Sequence, residues 1–262
     1  MTMELFIIGF TALFIAALTL FSGFGLGTVL MPVFALFFPI ELAVAATAVV
    51  HFANNLFKLS LMARQAEWRT VARFGIPAAL AAAIGAHLLI ASGDLPVLGG
   101  YTLGGTAHEI TLLKLLIGAL IVLFAMLELS ARFQALAFPS RWLPLGGMMS
   151  GFFGGLSGNQ GALRSAFLLK AGLSKEAFVA TGVVCAVIVD ASRLAVYGTS
   201  FMAAHLSRSQ EIAIPVAVGV ACAFVGSYFG KKLLHKVTLR TVQLTVAGMM
   251  LIVGAGLMLG LL

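Results

Sequence analysis

Residues 22–27 read SGFGLG and residues 154–161 read GGLSGNQG, and each glycine-rich run interrupts a stretch that is otherwise apolar. The interrupted stretches cover residues 5–38 and 144–171. Each interruption leaves about 11 residues before the next polar turn, which as an α-helix extend ~17 Å, or about half a bilayer. Non-helical backbone is tolerated at membrane depth only where it faces protein or a wet cavity. Each stretch is therefore either one broken crossing or a hairpin that leaves on the side it entered.

The chain as a whole is too apolar for a soluble fold. Of its 262 residues 61% are hydrophobic and only 10% are charged, whereas soluble domains carry roughly 25% charged residues. The mean hydropathy is +1.10. The composition predicts a multi-pass membrane protein, with lipid as its surroundings and no stretch left for a soluble catalytic domain. The net charge of +7 comes from basic residues in short loops between apolar runs, which is the positive-inside pattern and indicates no nucleic-acid partner.

Working outward from the two interruptions, six uninterrupted apolar segments are long enough to cross a bilayer. They lie at residues 41–63, 72–92, 110–128, 175–198, 211–230 and 239–261.

The distribution of basic residues decides between broken crossings and hairpins. If both interrupted stretches return to their starting side, eleven basic residues share one face: Arg64, Arg69, Arg73, Arg132, Arg141, Lys170, Lys175, Lys231, Lys232, Lys236 and Arg240. The opposite face then holds two, Lys114 and Arg208; single crossings would give seven against six. Only the hairpin arrangement obeys the positive-inside rule, although two full crossings within 5–38 would give the same sidedness. It predicts that both termini lie outside the cytoplasm and that the loop 93–109 lies on the outer face.

The two halves of the sequence are related. Ser22-Gly23 aligns with Ser157-Gly158 at an offset of 157 − 22 = 135 residues. The same offset relates three further pairs of similar character: Glu41 with Glu176, Asn55 with Asp190, and Lys58 with Arg193. Each half then consists of a hairpin and three crossings, and because three is odd the second half is inverted. The predicted fold is all-α, with an N-terminal repeat at 1–128 and a C-terminal inverted repeat at 144–262.

Inverted repeats with broken helices are typical of secondary transporters, whose site lies at the membrane midplane between the repeats. The half-helix after each interruption presents unpaired backbone N–H groups, and two such ends form a site for an anion. The residues predicted to line it are Ser22, Gly23, Gly25, Gly27, Thr28, Ser157, Gly158, Asn159 and Gln160. The alternative is close helix packing through Gly23 and Gly27.

A polar cluster in the segment 41–63 is a second candidate part of the site. His51, Asn54, Asn55 and Lys58 fall on one helical face, and intramembrane polar residues are costly and by default functional. The alternative is that Lys58 reaches the headgroups and the amides tie helices together.

Three charged residues of the second half complete the candidates. Asp190 and Arg193 can pair at i, i+3, either as a structural bridge or with Arg193 attracting the anion and Asp190 acting as a gate or proton site. Arg164 lies at the start of a half-helix, where a cation opposes the helix dipole. It is expected to contact an anionic substrate or a carboxylate such as Asp190.

The sequence contains no phosphate-binding loop and no familiar hydrolase motif. It predicts no enzyme, no cofactor and no metal site. The motifs Gly226–Gly230 and Gly256–Gly260 suit helix contacts or a homodimer face.

The stretches SGFGLGTVLMPV (22–33) and AATAVVHFANNLFK (45–58), with GFFGGLSGNQG (151–161), resemble the sulfite exporter TauE/SafE family. The resemblance covers nearly the whole chain. It implies export of sulfite or a small organosulfonate across the bacterial inner membrane, and therefore a small anionic substrate.

We thus predict a transporter driven by a proton or sodium gradient, or by the gradient of the substrate, with His51 and Asp190 as the titratable groups. Three alternatives remain at this point. They are another oxyanion or a metal ion in the same scaffold, an intramembrane enzyme using Cys185 and His51, and a scaffold that transports nothing.

Overall fold

A computed structural model describes residues 2–18, 26–93, 95–136, 138–204, 206–233 and 239–262. The described part is mostly helical. Its helices are α1 (Thr2–Leu18), α2 (Leu26–Ala35), α3 (Ile40–Met62), α4 (Trp68–Ala91), α5 (Leu112–Leu129), α6 (Ala131–Gln134), α7 (Leu143–Ser157), α8 (Gly161–Leu168), α9 (Lys175–Ala204), α10 (Leu206–Leu233) and α11 (Leu239–Met258).

Five spans of the described chain are long and apolar enough to cross a bilayer. They are Ile40–Gln65, Trp68–Ala91, Leu112–Leu129, Lys175–Thr199 and Ile212–Gly230, which coincide with five of the predicted crossings. The sixth predicted crossing, 239–261, corresponds to α11, of which Val246–Met258 is a shorter apolar helix. The chain is therefore a multi-pass membrane protein.

The interrupted stretch 144–171 folds as a helical hairpin. The end of α8 returns to the start of α7, since Ser140 Oγ donates to Lys170 O at 3.2 Å and the Phe138 ring stacks on Phe167 with centroids 4.3 Å apart. α8 has 8 residues and so extends ~12 Å, well short of the ~30 Å hydrocarbon core. The segment thus enters and leaves at the same end of the bundle.

The other interrupted stretch has the same proportions. α1 has 17 residues and α2 has 10, so α2 extends ~15 Å. α2 packs against α1, α3 and α11. The interruption itself, residues 19–25, lies outside the described residues.

Small residues let α7 lie directly on α4. Three glycines at four-residue intervals contact backbone carbonyls of α4: Gly147 contacts Phe74, Gly151 contacts Ala78, and Gly155 contacts Ala82. A Cβ atom at any of the three would overlap its carbonyl oxygen. The residue numbers of the contacts increase in the same direction along both helices, so α7 and α4 run parallel. Their backbones approach as closely as is typical of membrane helix pairs.

α10 lies on α1 in the same way. Gly226 contacts the Leu13 carbonyl and Gly230 contacts the Ala17 carbonyl, so these helices also run parallel. The predicted packing motif Gly226–Gly230 is therefore occupied by a helix of the same chain.

α3 and α9 pack against each other at the centre of the bundle, and α5 packs along α11. Of the five spans, those containing α3 and α9 have the largest buried shares, 56% and 61%. The polar residues near the middle of these helices are buried in protein, among them His51 and Asn55 of α3 and Asp190 and Arg193 of α9.

The loop 93–109 contains secondary structure that the sequence analysis missed. β1 (Val97–Leu103) and β2 (Thr106–Thr111) form an antiparallel hairpin. Gly104 and Gly105, with φ of 61° and 85°, form the two-residue turn, and positive φ at both positions is what a type I′ hairpin requires.

The β-hairpin is anchored over the end of α11. Tyr101 OH donates to Leu259 O at 2.8 Å, and His108 Nδ1 lies 3.3 Å from Gly260 O. The hairpin therefore marks one end of the bundle, and the base of the α7–α8 hairpin marks the other.

Basic residues concentrate at the α7–α8 base. Those at or beside helix ends there are Arg64, Arg69, Arg73, Arg141, Lys170 and Lys175. Glu67 caps α4 at the same end, and its backbone N–H donates to Thr181 Oγ1 at 3.0 Å. Hydrogen bonds from Thr70, and then from the Arg69 backbone N–H, hold the pKa of the Glu67 carboxyl below its usual value.

Candidate functional site

The break between α7 and α8 supplies polar groups to the centre of the bundle. Gly158 ends α7 in the left-handed region, with φ of 80°, which favours glycine there. Ser150 Oγ donates to Gln160 O at 2.9 Å, and Asn159 Nδ2 donates to Ser157 Oγ at 3.2 Å. These bonds fix the break, and Asn159 and Gln160 are both buried.

Asp190 of α9 lies at the centre of a buried ionic cluster and contacts each of its other members. His51 Nδ1 lies 2.6 Å from Asp190 Oδ2. Arg193 Nη2 and Nε donate to Asp190 Oδ1 at 2.7 and 3.0 Å, and Gln160 Nε2 donates to the same oxygen at 3.1 Å. The exposed fraction of Asp190 and of Arg193 is 0%. We call these four residues the Asp190 cluster.

Arg193 also holds the break. Its Nη1 donates to Gly154 O at 3.0 Å, and Tyr197 OH donates to the adjacent carbonyl, of Gly155. Three of the five guanidinium N–H groups thus bond within the protein. The i, i+3 pair with Asp190 exists as its spacing allows, and the structure adds that Arg193 and Tyr197 join α9 to the end of α7.

The four polar residues predicted on one face of α3 are all buried, but they have different partners. His51 contacts Asp190, and Asn55 Nδ2 lies 3.1 Å from His51 Nδ1 and 3.5 Å from Asp190 Oδ2. Asn54 faces elsewhere, since its Oδ1 accepts from Ser227 Oγ of α10 at 2.7 Å. Asn54 therefore ties two helices together and lies apart from the Asp190 cluster.

Two further cations lie beside the cluster. Arg164 in α8 donates from Nη1 to Gln160 Oε1 at 3.2 Å, and it is attracted by Asp190. Lys58 is 4% exposed and is repelled by Arg164. The two positive charges are therefore buried within electrostatic range of each other.

The start of α2 lies against the same site. A Cβ at Gly27 would be 3.5 Å from the His51 ring and 3.6 Å from Gly158 O, so the second-half break, α2 and α3 meet at this point. Thr28 is buried in the first turn of α2. The predicted residues Ser22, Gly23 and Gly25 lie outside the described residues.

The sequence analysis missed three residues that bond to this site or to its helices: Ser150, Tyr197 and Ser227. Tyr197 follows Arg193 by four residues and Asp190 by seven, so helical spacing alone could have placed it on their face. Ser150 and Ser227 each stand beside a glycine, and nothing in the sequence points to their partners.

Charge and geometry together indicate what this arrangement can do. Lys58, Arg164 and Arg193 are basic side chains, and Asp190 is a carboxylate that interacts with both arginines. Buried charge of one sign is costly unless an opposite charge offsets it. The site is therefore suited to an anion, and a multi-pass bundle with a buried ionic cluster at a broken helix is the build of a transport protein.

The chain belongs to the sulfite exporter TauE/SafE family, whose sequence model matches residues 5–257. This agrees with the resemblance seen in the sequence, and it makes the chain a membrane transporter of sulfite or related anions. No curated protein and no solved structure gives a significant match to the chain.

Proposed function

We propose that this protein exports sulfite or a small organosulfonate across the bacterial inner membrane, as a secondary transporter with its site at the Asp190 cluster. The observation that carries the proposal is the pair of buried cations, Lys58 and Arg164, next to a carboxylate that Arg193 already compensates. An oxyanion with two or three charged oxygens would accept hydrogen bonds from both cations at once.

We assign different roles to the three basic residues of the site. The sequence left Arg193 either as part of a structural bridge or as the residue that attracts the anion, and three of its N–H groups bond to Asp190 and to the Gly154 carbonyl. We assign the anion to Lys58 and Arg164, and we assign to Arg193 the positioning of Asp190 and of the break. Gly27 supplies backbone beside His51, and Gly158 supplies backbone beside Arg193.

The inverted-repeat architecture, 1–128 against 144–262, is part of the proposal. In the proposed repeat, the helices α1 to α5 correspond in order to α7 to α11. The contact between α1 and α10 then corresponds to the contact between α7 and α4, and the contacts α3–α9 and α5–α11 each join a helix to its own counterpart. Pro77 and Pro215 lie inside α4 and α10, and their offset of 215 − 77 = 138 is close to the 135 residues that relate the two halves. A two-fold relation in the membrane plane accounts for both patterns.

The orientation proposed is the one that obeys the positive-inside rule. The end with the α7–α8 base and its basic residues faces the cytoplasm, and the β-hairpin end, with Lys114, faces outward. Both termini then lie outside the cytoplasm.

An anion fits the site better than the alternative cargo or chemistry. In the described part of the chain no group of three or more His, Cys, Asp or Glu side chains could hold a metal ion. Cys185 lies beside Gly75 and within electrostatic range of Arg164, and no hydrogen bond to His51 is among its described contacts.

The test is sulfite and sulfoacetate binding to the purified protein by calorimetry, followed by efflux of the bound anion from proteoliposomes. Binding and efflux of either anion, with sulfate and taurine as comparison solutes, would support the proposal. A well-folded protein that binds neither anion would overturn it and leave another solute in the same scaffold.

A further inference from the structure

A continuous chain of side chains joins the proposed anion site to a titratable pair. Arg164 Nη1 donates to Gln160 Oε1 at 3.2 Å, Gln160 Nε2 donates to Asp190 Oδ1 at 3.1 Å, and Asp190 Oδ2 lies 2.6 Å from His51 Nδ1. All four residues are buried. Gln160 is the middle member of this series of hydrogen bonds. It bonds to Arg164 of the proposed anion site on one side and to Asp190, which contacts His51, on the other.

The orientation of the Gln160 amide is fixed by its two neighbours. A primary amide accepts at its oxygen and donates at its nitrogen. The oxygen faces the Arg164 guanidinium, which can only donate, and the nitrogen faces the Asp190 carboxylate, which can only accept when ionised. The amide therefore satisfies both neighbours only while Arg164 and Asp190 keep their present places.

We propose that Gln160 couples anion binding to proton binding, so that each anion transported is accompanied by a proton held on the His51–Asp190 pair. An anion that draws the Arg164 guanidinium toward itself weakens the bond to Gln160 Oε1. The amide then turns away from Asp190 Oδ1, and the less compensated carboxylate favours a proton from solution on the His51 imidazole. The proton is released when the anion leaves. This inference rests on the proposed function and adds how its site is coupled.

The charges around the His51–Asp190 pair also predict that anion binding and proton binding favour each other. Arg164 from α8 and Arg193 and Tyr197 from α9 face the pair, and Lys58 of α3 and Cys185 of α9 lie within electrostatic range of Arg164. The segment between α7 and α8 supplies Gln160, α2 supplies backbone at Gly27, and no charged side chain of α4 is described at the pair. A proton on His51 is repelled by the nearby Arg193 and Arg164 cations, and an anion bound at Arg164 weakens that repulsion. By linkage each ligand then favours the other.

The experiment measures the protons taken up per anion bound. Calorimetric titrations with sulfoacetate, whose sulfonate and carboxylate are both ionised at neutral pH, are run in two buffers of different ionisation enthalpy. Any proton uptake then belongs to the protein. We expect up to about one proton per anion for the wild type, because the site holds one titratable pair, and a binding constant that falls up to about tenfold per pH unit while the pair titrates.

Two variants test the residues and a third is the matched control. Gln160→Leu should take up less than half as many protons per anion bound as the wild type, and His51→Gln should take up almost none. Gln65→Leu makes the same replacement at an exposed position and should match the wild type. Sulfite is titrated alongside, and size-exclusion profiles check that each variant folds.

The outcomes separate the two proposals. If neither sulfoacetate nor sulfite binds to the folded wild type, the proposed function and this inference both fall. If an anion binds with no proton uptake, the coupling is overturned and the anion site stands. If Gln160→Leu takes up as many protons as the wild type, Gln160 is not the link. Should that variant fail to fold, proton uptake by His51→Gln equal to the wild type would overturn the proposal instead.

Discussion

His51 on α3 and Asp190 on α9 are separated by 139 residues of chain, and their side chains meet at 2.6 Å in the centre of the bundle. The contact joins the two most buried spans. It also places a titratable imidazole on the carboxylate that compensates Arg193.

The first prediction concerns the charge balance of the Asp190 cluster. Asp190→Asn leaves the fully buried Arg193 without its carboxylate, and losing one partner of a buried pair costs roughly 3–5 kcal/mol. We expect a lower thermal unfolding midpoint in detergent and no anion efflux. Glu109→Gln, at an exposed position, should leave both unchanged, and an Asp190→Asn midpoint equal to the wild type would contradict the role of the pair.

The second prediction separates binding from folding. Lys58→Met keeps the length of the side chain and removes a buried charge that has no described carboxylate partner. We expect the affinity for sulfite to fall about tenfold or more, since hydrogen bonds to charged groups contribute roughly 1.5–3 kcal/mol, while thermal stability is kept or raised. Lys114→Met, at the β-hairpin end, is the matched control, and unchanged sulfite affinity in Lys58→Met would remove Lys58 from the site.

The third prediction tests the parallel packing of α7 on α4. A Cβ at Gly151 overlaps the Ala78 carbonyl, so Gly151→Ala forces the helices apart, and overpacking typically costs about 1–3 kcal/mol. Gly198→Ala makes the same change on α9, where a Cβ meets no atom within 4 Å, and should be neutral or stabilising. Equal unfolding midpoints for the two variants would rule out the close contact.

The fourth prediction is a pH dependence at the N-terminus of α4. The pKa of the half-buried Glu67 carboxyl is lowered by its bonds to Thr70 and Arg69, so its capping contribution is fully present above the unfolded-state pKa. The contribution is lost as pH falls through the folded-state pKa. Glu67→Ala should lower stability by less than about 1 kcal/mol at neutral pH, and the difference from the wild type should vanish in acid. A difference that stays constant with pH would argue against the cap.

The fifth prediction concerns orientation and uses Leu103→Cys and Lys170→Cys in a chain whose two cysteines, Cys185 and Cys222, are replaced by serine. A membrane-impermeant maleimide added to intact cells should label the first variant, because the β-hairpin faces outward in the proposed topology. It should label the second only after the membrane is permeabilised. The opposite pattern would place the termini in the cytoplasm.

Local sequence signals predicted the parts of this fold that depend on local physics. Glycine and asparagine within GGLSGNQG (154–161) marked the break, and Gly158 ends α7 inside that run. The spacing of Asp190 and Arg193 predicted their pair, which the structure contains. The β-hairpin could also have been predicted from the sequence, because Gly104-Gly105 between strand-forming residues is typical of a type I′ turn.

Partners that are distant in sequence could not be derived in this way. The bond from Arg193 to the Gly154 carbonyl depends on α9 crossing the end of α7, and helical periodicity gives the face of a helix without naming its neighbour. Asn54 and Asn55 are adjacent in sequence, yet one bonds to Ser227 and the other lies at Asp190. Which of two adjacent amides enters the site is decided by tertiary packing alone.

The pairing of α1 with α10 has a consequence for how the chain is made. The contact between Leu13 and Gly226 closes over 226 − 13 = 213 residues, and at a synthesis rate of 5–20 residues per second α1 waits roughly 10–40 s for its partner. During that interval the face of α1 that will pack against Gly226 and Gly230 is covered only by lipid, the insertion machinery or a chaperone. Biogenesis of this protein should therefore be most vulnerable to mutations on that face of α1, before any of the transport machinery has been assembled.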